Sequence, residues 1–383
     1  MYRTAVFCFY DKMGVIGDDD LFLLKELNEC ADYVVVVVNG ELKNRDNLQY
    51  LANKIIYRKN TSYDAGAYKE ALFNQECREI IEKSDELILC NNSFWGPFVH
   101  FSSIFKEMEK SKADFWGLTS TNYTIFQYIH SFFLVYRKAI VNSRILYRYF
   151  EEHIDKEKMT YFDVYAGFEN GLSQELLKSG FRYDAYVKNI IYSPYADPYE
   201  SLALDQVPIL KKKIYSDEFY HNKKASAAFS YITGHYSYPS EFICQSALRL
   251  YNKEVIELAE EYVTKERKKT VNYKMKKREE VQKFLQNISK VYIYGTGYFG
   301  QKVFAAFFHY PENPFLGGFL ISDELYCGEE REFLSYPLWP FSEKQFCNTE
   351  GIIVALSPEH SEEVSERLRG KRNIFYLWER TNN

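Results

Sequence analysis

The sequence predicts an α/β protein: a large domain on a mostly parallel central sheet, a charged helical linker, and a second, smaller α/β domain. Three observations carry this. Short β-branched runs alternate with helical patterns through the first 90 residues, polar side chains gather just after each run, and the pattern restarts near residue 290 around a glycine turn. Runs that are apolar at every position suit strands covered on both faces, as parallel strands are.

The first strand is "TAVFCF" (4–9), followed by Leu21, Leu24 and Leu27 at helical spacing. "YVVVVV" (33–38), "KIIY" (54–57) and "ELILC" (86–90) are the second, third and fourth strands. Such sheets take ligands beyond the carboxyl ends of their strands, and that is where "FYDKMG", "VNGEL", "RKNTSYDAGAY" and "NNSFWGP" fall. Residues 220 to 290 read as helical and then highly charged, with eight Lys or Arg between Lys265 and Arg278. "KVYIYGTGYFGQKV" then reads as strand, turn and helix, and "LGGFLISDE" and "GIIVALSPEH" supply two further strands. The expected organisation is a domain over 1–250, a linker over 251–289 and a domain over 290–383, without internal repeats.

Composition narrows the function. A chain of 383 residues, 46% hydrophobic, buries a sizeable core. Its net charge of -5 and pI of about 5.9 lack the basic footprint of nucleic-acid binders, so no nucleic-acid partner is expected. The 34 Tyr and 30 Phe suit sugar and nucleotide contacts, and are also what an AT-rich coding sequence produces. Seven scattered cysteines without a C-x-x-C pair read as reduced thiols, not as a disulfide frame or zinc site. No stretch approaches the ~20 apolar residues of a membrane-spanning helix, and a cytoplasmic protein is expected.

The stretch "RKNTSYDAGAYKEAL" (58–72) sets a carboxylate before three tiny residues. Asp64 can accept hydrogen bonds from a nucleobase or ribose while Gly66 and Ala67 let that ligand approach. Equally, Asp64 can cap the helix that follows.

Several blocks, in order, tie the chain to a known family. "NTSYDAGAY", "LILCNNSFWGP", "ADFWGLT", "YIHSFFLVYRK", "FENGLSQELLKSGF" and "VPILKKKIY" together resemble the rhamnan synthesis protein F family of bacterial polysaccharide glycosyltransferases. The likeness covers residues 1 to about 250. It departs from the family pattern at Ser62, where Gly is frequent, at Asn92, where Asp is frequent, and at Tyr128 and His130. The resemblance implies a GT-A-like, nucleotide-sugar-binding domain with Tyr10, Asp11, Asn60, Asp64, Gly66, Ala67, Asn91, Asn92, Ser93 and Lys211 on the donor side. Trp95, as an aromatic platform, His130 and Ser131 would line the acceptor side.

The segment "FENGLSQELLKSGF" is also similar to the segment of inverting GT-A enzymes that carries the general base, and the matching position is Glu169. Its other reading is a first-turn carboxylate of a helix. Asp114 is the reserve base. Lys211, or its neighbours Lys212 and Lys213, would offset diphosphate charge on departure; the other reading of these three lysines is a solvated charge run. Mg²⁺ or Mn²⁺ dependence stays open, because Asn91-Asn92-Ser93 stands where the family type often places Asp-x-Asp and offers only neutral amides and a hydroxyl.

In the C-terminal domain, Gly295, Gly297 and Gly300 form a G-x-G-x-x-G turn between strand and helix, and Asp323 ends the next strand 23 residues on. That pattern resembles a Rossmann-like nucleotide site, or a turn kept for packing. The basic run 265–278 is a solvated face or a peripheral contact with anionic lipid at the inner face of the membrane. The expected function is transfer of a sugar, such as L-rhamnose from dTDP-L-rhamnose, onto a growing and lipid-linked cell-surface glycan. The alternatives are an NAD-dependent sugar-modifying enzyme run by the C-terminal domain and a nucleotide-sugar-binding protein without transferase activity.

Overall fold

The computed structural model describes residues 1–121, 128–155, 157–188, 190, 192–257, 280–281, 283–308, 315–326, 328, 331–334, 336–371 and 373–377. These fall into two compact units, one within residues 1–266 and one within 267–383. Most of the expected linker, including the whole basic run 265–278, lies outside the described residues.

The first unit is built on four parallel strands at the places their apolar runs foretold. They are β1 (Arg3–Phe9), β2 (Tyr33–Asn39), β3 (Lys54–Arg58) and β4 (Glu86–Asn91), in the order β3-β2-β1-β4. Val34 to Val38 are all fully buried because helices cover both faces. One is α1 (Asp18–Asn28), between β1 and β2; another is α2 (Tyr63–Phe73), which packs its small residues inward. Beyond β4 the sheet turns mixed. A short strand β5 (Phe94–Trp95) leaves it, β6 is Phe115–Thr121, β7 is Tyr128–Ile129, and β8 (Phe133–Arg137) runs antiparallel between β4 and β6. β9 (Tyr183–Val187) closes that side parallel to β6. Since β8 is antiparallel to both neighbours, β6 runs parallel to β4, and the loop before β8 reaches the carboxyl edge of β1 to β4.

A second apolar cluster joins β5 and β10 (Leu210–Lys211), its antiparallel partner, to α-helices at Asn222–His235 and Ser240–Tyr251. The C-terminal unit has a six-stranded sheet of its own around Lys290–Tyr294, with Leu316–Ile321 and Glu350–Val354 as parallel neighbours. The six described cysteines are all free thiols.

Candidate active site at the carboxyl edge of the sheet

Chain segments far apart in sequence meet at the carboxyl edge of β4. Asn91 ends that strand, and its amide nitrogen donates to Asp64 Oδ2 at 2.7 Å. Its oxygen accepts from both the backbone N–H and the hydroxyl of Ser93, at 3.1 and 2.6 Å. Pairing of β10 with β5 sets Lys211 beside Phe94, and the Lys211 ammonium donates to Ser93 Oγ at 2.7 Å. From the other side, Ser131, in the loop before β8, gives its N–H and hydroxyl to one oxygen of Glu169, at 2.7 and 2.6 Å.

Local sequence explains how Asp64 and Glu169 are presented. α2 begins at Tyr63, whose φ is +50°, after Ser62, whose φ is +55°. Left-handed backbone disfavours side chains, so the backbone at Ser62 is one that glycine would adopt with less strain. The residue at the N-cap of α2 is Ser62 and not Asp64, whose Oδ1 accepts from the adjacent Ala65 N–H at 3.0 Å while Oδ2 faces Asn91. Glu169 lies in a π-helix over Val164–Gly171, a widened turn frequent at functional sites. The segment is held at its start by Thr160 and Asp163, which cap each other reciprocally.

Burial dominates the electrostatics. It lifts the Asp64 carboxyl to about 6, with the charge of Glu169 adding to the effect and the Asn91 bond opposing it. It also raises Glu169, against the two bonds from Ser131 and the nearby charge of Lys211. Lys211 is 3% exposed, and burial drops its ammonium to about 7 although Glu169 and Asp64 pull the other way. The ring of Phe132 lies 4.2 Å from that ammonium. His130 hydrogen-bonds the Thr119 hydroxyl at 2.8 Å and is pushed down to about 4 by burial, with Lys211 contributing.

Other expected residues find different surroundings. Asn92 bridges to β1 by accepting from the Tyr10 N–H and donating to the Tyr10 carbonyl, and it also donates to Asp20 at 3.0 Å. Tyr10 is exposed, and Asp11 is buried in an ion pair with Arg249. Asn60 is exposed on the loop after β3.

Four expectations are corrected. Trp95 is no sugar platform: it is fully buried, packed edge-on against Tyr215 at 5.6 Å, because its strand pairs with β10 inside the second apolar cluster. Gly66 and Ala67 do not open the backbone to a ligand. Both are buried in α2, and a Cβ on Gly66 would meet Thr61 O at 2.7 Å and Arg58 Nη2 at 2.8 Å. Asp114 sits at the opposite, amino edge of the sheet, where its carboxylate accepts from the Arg182 N–H at 2.9 Å. Lys212 turns away from the site into a buried network with Asp19 and Asp20, at 2.6 and 2.7 Å, which Arg249 joins.

In the C-terminal unit the glycine motif joins strand and helix as expected. Gly295 has φ +117°, Gly297 precedes the helix Tyr298–Phe307, and a Cβ on Gly300 would lie 1.9 Å from Gly295 O. Asp323 is exposed after the neighbouring strand and accepts from Ser342 N–H and hydroxyl, at 3.0 and 2.9 Å.

The model of the family described as rhamnan synthesis protein F matches residues 34–285, more than half of the chain. The chain belongs to the rhamnan synthesis protein F family. That match takes in Asp64, Asn91 to Ser93, Ser131, Glu169 and Lys211. Virulence protein VirA of Vibrio anguillarum is 30% identical over 150 residues, 39% of this chain and 47% of its own. Protein y4gN of Sinorhizobium fredii is 29% identical over 149 residues, 37% of this chain and 38% of its own. The chain thus spans about half or less of the curated relatives it matches. Among solved structures, S. aureus TarS 1-349 aligns at 11% identity and TM-score 0.30, over 66% of this chain and 71% of that one. A cytidylyltransferase from Leptospira borgpetersenii aligns at 13% and 0.29, over 67% and 100%. At such scores neither structure bears on the function of this family member. No helix among the described residues is long and apolar enough to cross a membrane.

Proposed function

We propose that the N-terminal unit is an inverting glycosyltransferase that moves a sugar from a nucleotide-sugar donor onto a growing cell-surface polysaccharide. Family membership supports the polysaccharide role, and one observation carries the chemistry. A half-buried carboxylate held by two Ser131 bonds and a buried ammonium with a second carboxylate meet at the edge of the sheet where such folds take ligands.

In this reading Glu169 takes the proton of the acceptor hydroxyl as that oxygen bonds to the anomeric carbon. The bond from that carbon to the diphosphate breaks, the electron pair leaves with the diphosphate, and Lys211 offsets the charge. Asp64 accepts from a hydroxyl or N–H of the donor. Ser131 keeps Glu169 aimed, and His130, neutral, lines the acceptor side. The half-exposed rings of Tyr63 and Tyr161, 5.9 Å apart, replace Trp95 as the aromatic surface for a sugar. A lipid-linked acceptor and a location at the inner face of the membrane belong to the same proposal.

The deciding experiment mixes the purified protein with a panel of nucleotide sugars, dTDP-L-rhamnose first, and measures protection against thermal unfolding for wild type, Asp64→Ala and Gly297→Ala. Protection by one donor that is lost in Asp64→Ala places the donor in the first unit. Protection that survives there and is lost in Gly297→Ala moves the ligand to the C-terminal unit. That outcome favours the second reading, a nucleotide or NAD site at Gly295, Gly297 and Gly300, for which the strand-turn-helix is the motivating observation.

A further inference from the structure

Divalent cations on a sugar diphosphate need hard oxygen ligands, carboxylates above all. The residues at the corresponding place do not fit one. Asn91 and Asn92 spend their amides on Asp64, Ser93, Tyr10 and Asp20. Ser93 donates its hydroxyl to Asn91 and accepts from Lys211. Two carboxylates are joined to this group: Asp64 is held by Asn91 and Ala65, and Asp20, bonded to Asn92, is already paired with Lys212. A cluster with metal-ligand types, Glu26, Glu29 and His100, lies elsewhere in the unit and shares none of these residues.

A cation is nevertheless built into the place. Lys211 is 3% exposed, yet among the described residues it forms no ion pair. Of its three N–H bonds one goes to Ser93, and what faces the remainder is chiefly the ring of Phe132. A buried ammonium without a carboxylate at contact is costly, and an anionic ligand would remove the cost. Resting on the transferase reading above, we propose that Lys211 is a resident cation that holds the donor diphosphate in place of a divalent metal, so that donor binding and transfer are metal-independent. The anion's oxygens complete the hydrogen bonds that Ser93 leaves open. Burial, which drops the free ammonium to about 7, agrees with a group whose charge awaits a partner.

The test is calorimetric titration of the full chain with dTDP, UDP, GDP and CDP, and with their nucleosides, in EDTA and again with Mn²⁺. At least one diphosphate should bind in EDTA, with affinity changed less than about twofold by Mn²⁺. Lys211→Met should weaken that diphosphate by about 10–100-fold, the range of a charge-assisted hydrogen bond, and leave the nucleoside unaffected. Ser93→Ala, which removes only the anchor of the ammonium, should weaken it less and keeps the test open if Lys211→Met does not fold. Diphosphate binding that appears only with Mn²⁺ overturns the inference and leaves the transferase reading standing. Diphosphate affinity unchanged in both variants overturns it too. Failure of every diphosphate to bind under either condition removes the transferase reading and the inference with it.

Discussion

Ser131 gives both its N–H and its hydroxyl to a single oxygen of Glu169, at 2.7 and 2.6 Å, across 38 residues of chain. Two donors on one oxygen fix the carboxylate's direction and favour its charged form, opposing the burial that raises it. If Glu169 is the base, Glu169→Gln should lower kcat by about 10²–10⁴-fold while donor protection against unfolding is retained. Ser131→Ala should shift the acid limb of the rate profile to higher pH, because one stabilising bond to the carboxylate is gone. A Ser131→Ala enzyme with an unmoved limb would mean that Glu169 does not titrate in the rate.

Asp64 and His130 give the free protein opposed pH slopes. Asp64 is raised from 3.8 to about 6, so the folded state binds more protons between those values and stability falls as pH rises through them. His130 is lowered from 6.5 to about 4. There the unfolded state binds more protons, and stability rises with pH over nearly the same window. Wild type should therefore be close to flat from about pH 4 to 6 on account of this pair. Asp64→Asn should expose a rising slope and His130→Gln a falling one, read from thermal midpoints at constant ionic strength. Parallel curves for all three proteins would contradict the assignment.

The first four strands were legible because each is an unbroken apolar run, and parallel order followed from the helices between them. The mixed half was not: β8 sits between β4 and β6 through pairings that no local pattern encodes. Trp95 beside Gly96-Pro97 reads like a surface feature, yet two residues of pairing with Leu210 and Lys211 take it inside. Gly66 and Ala67 misled for a related reason, since small size answers as well to a close helix and loop as to a ligand. Three consecutive lysines look equivalent in sequence, but the β10 bridge sends Lys211 to Ser93 while the next side chain turns inward. Only the ordered family blocks brought Asp64, Ser131, Glu169 and Lys211 to one place on paper, and the widened turn that carries Glu169 had no sequence signal at all.

That contrast between neighbouring lysines is measurable. Lys212 is buried between Asp19 and Asp20, which hold its pKa above the ordinary lysine value. Lys212→Met leaves two buried carboxylates facing Arg249 at 3.6 and 3.8 Å, and removal of one partner from such a group costs about 3–5 kcal/mol. Chemical denaturation should show that loss for Lys212→Met. Lys211→Met, which strands no carboxylate in ion-pair contact, should retain most of the wild-type stability.

Gly66→Ala separates packing from ligand access. Alanine favours a helix, but its Cβ would meet a backbone oxygen, Thr61 O, at 2.7 Å, and backbone cannot step aside as a side-chain end can. The expected cost is about 1–3 kcal/mol, seen as a lower thermal midpoint without ligand. A variant as stable as wild type but unable to bind donor would restore the close-approach reading of this glycine.

Gly297 and Gly300 make opposite demands on the same substitution. At Gly300 a Cβ would fall 1.9 Å from Gly295 O, whereas at Gly297 nothing lies within 4 Å. Gly300→Ala should therefore weaken the strand-turn-helix itself, and any ligand it loses says little about a site. Gly297→Ala should fold with a thermal midpoint near wild type, since its φ of -75° is open to any residue. Gly297 is the residue just before the helix Tyr298–Phe307, and the free N–H groups at a helix start favour a phosphate. Isolated changes in nucleotide affinity in Gly297→Ala, with stability preserved, would thus mark occupancy of that helix start. Unchanged affinity for nucleotides and NAD would leave the glycine turn with packing as its sole role, because Gly295 and Gly300 need their close approach whether or not a ligand ever binds.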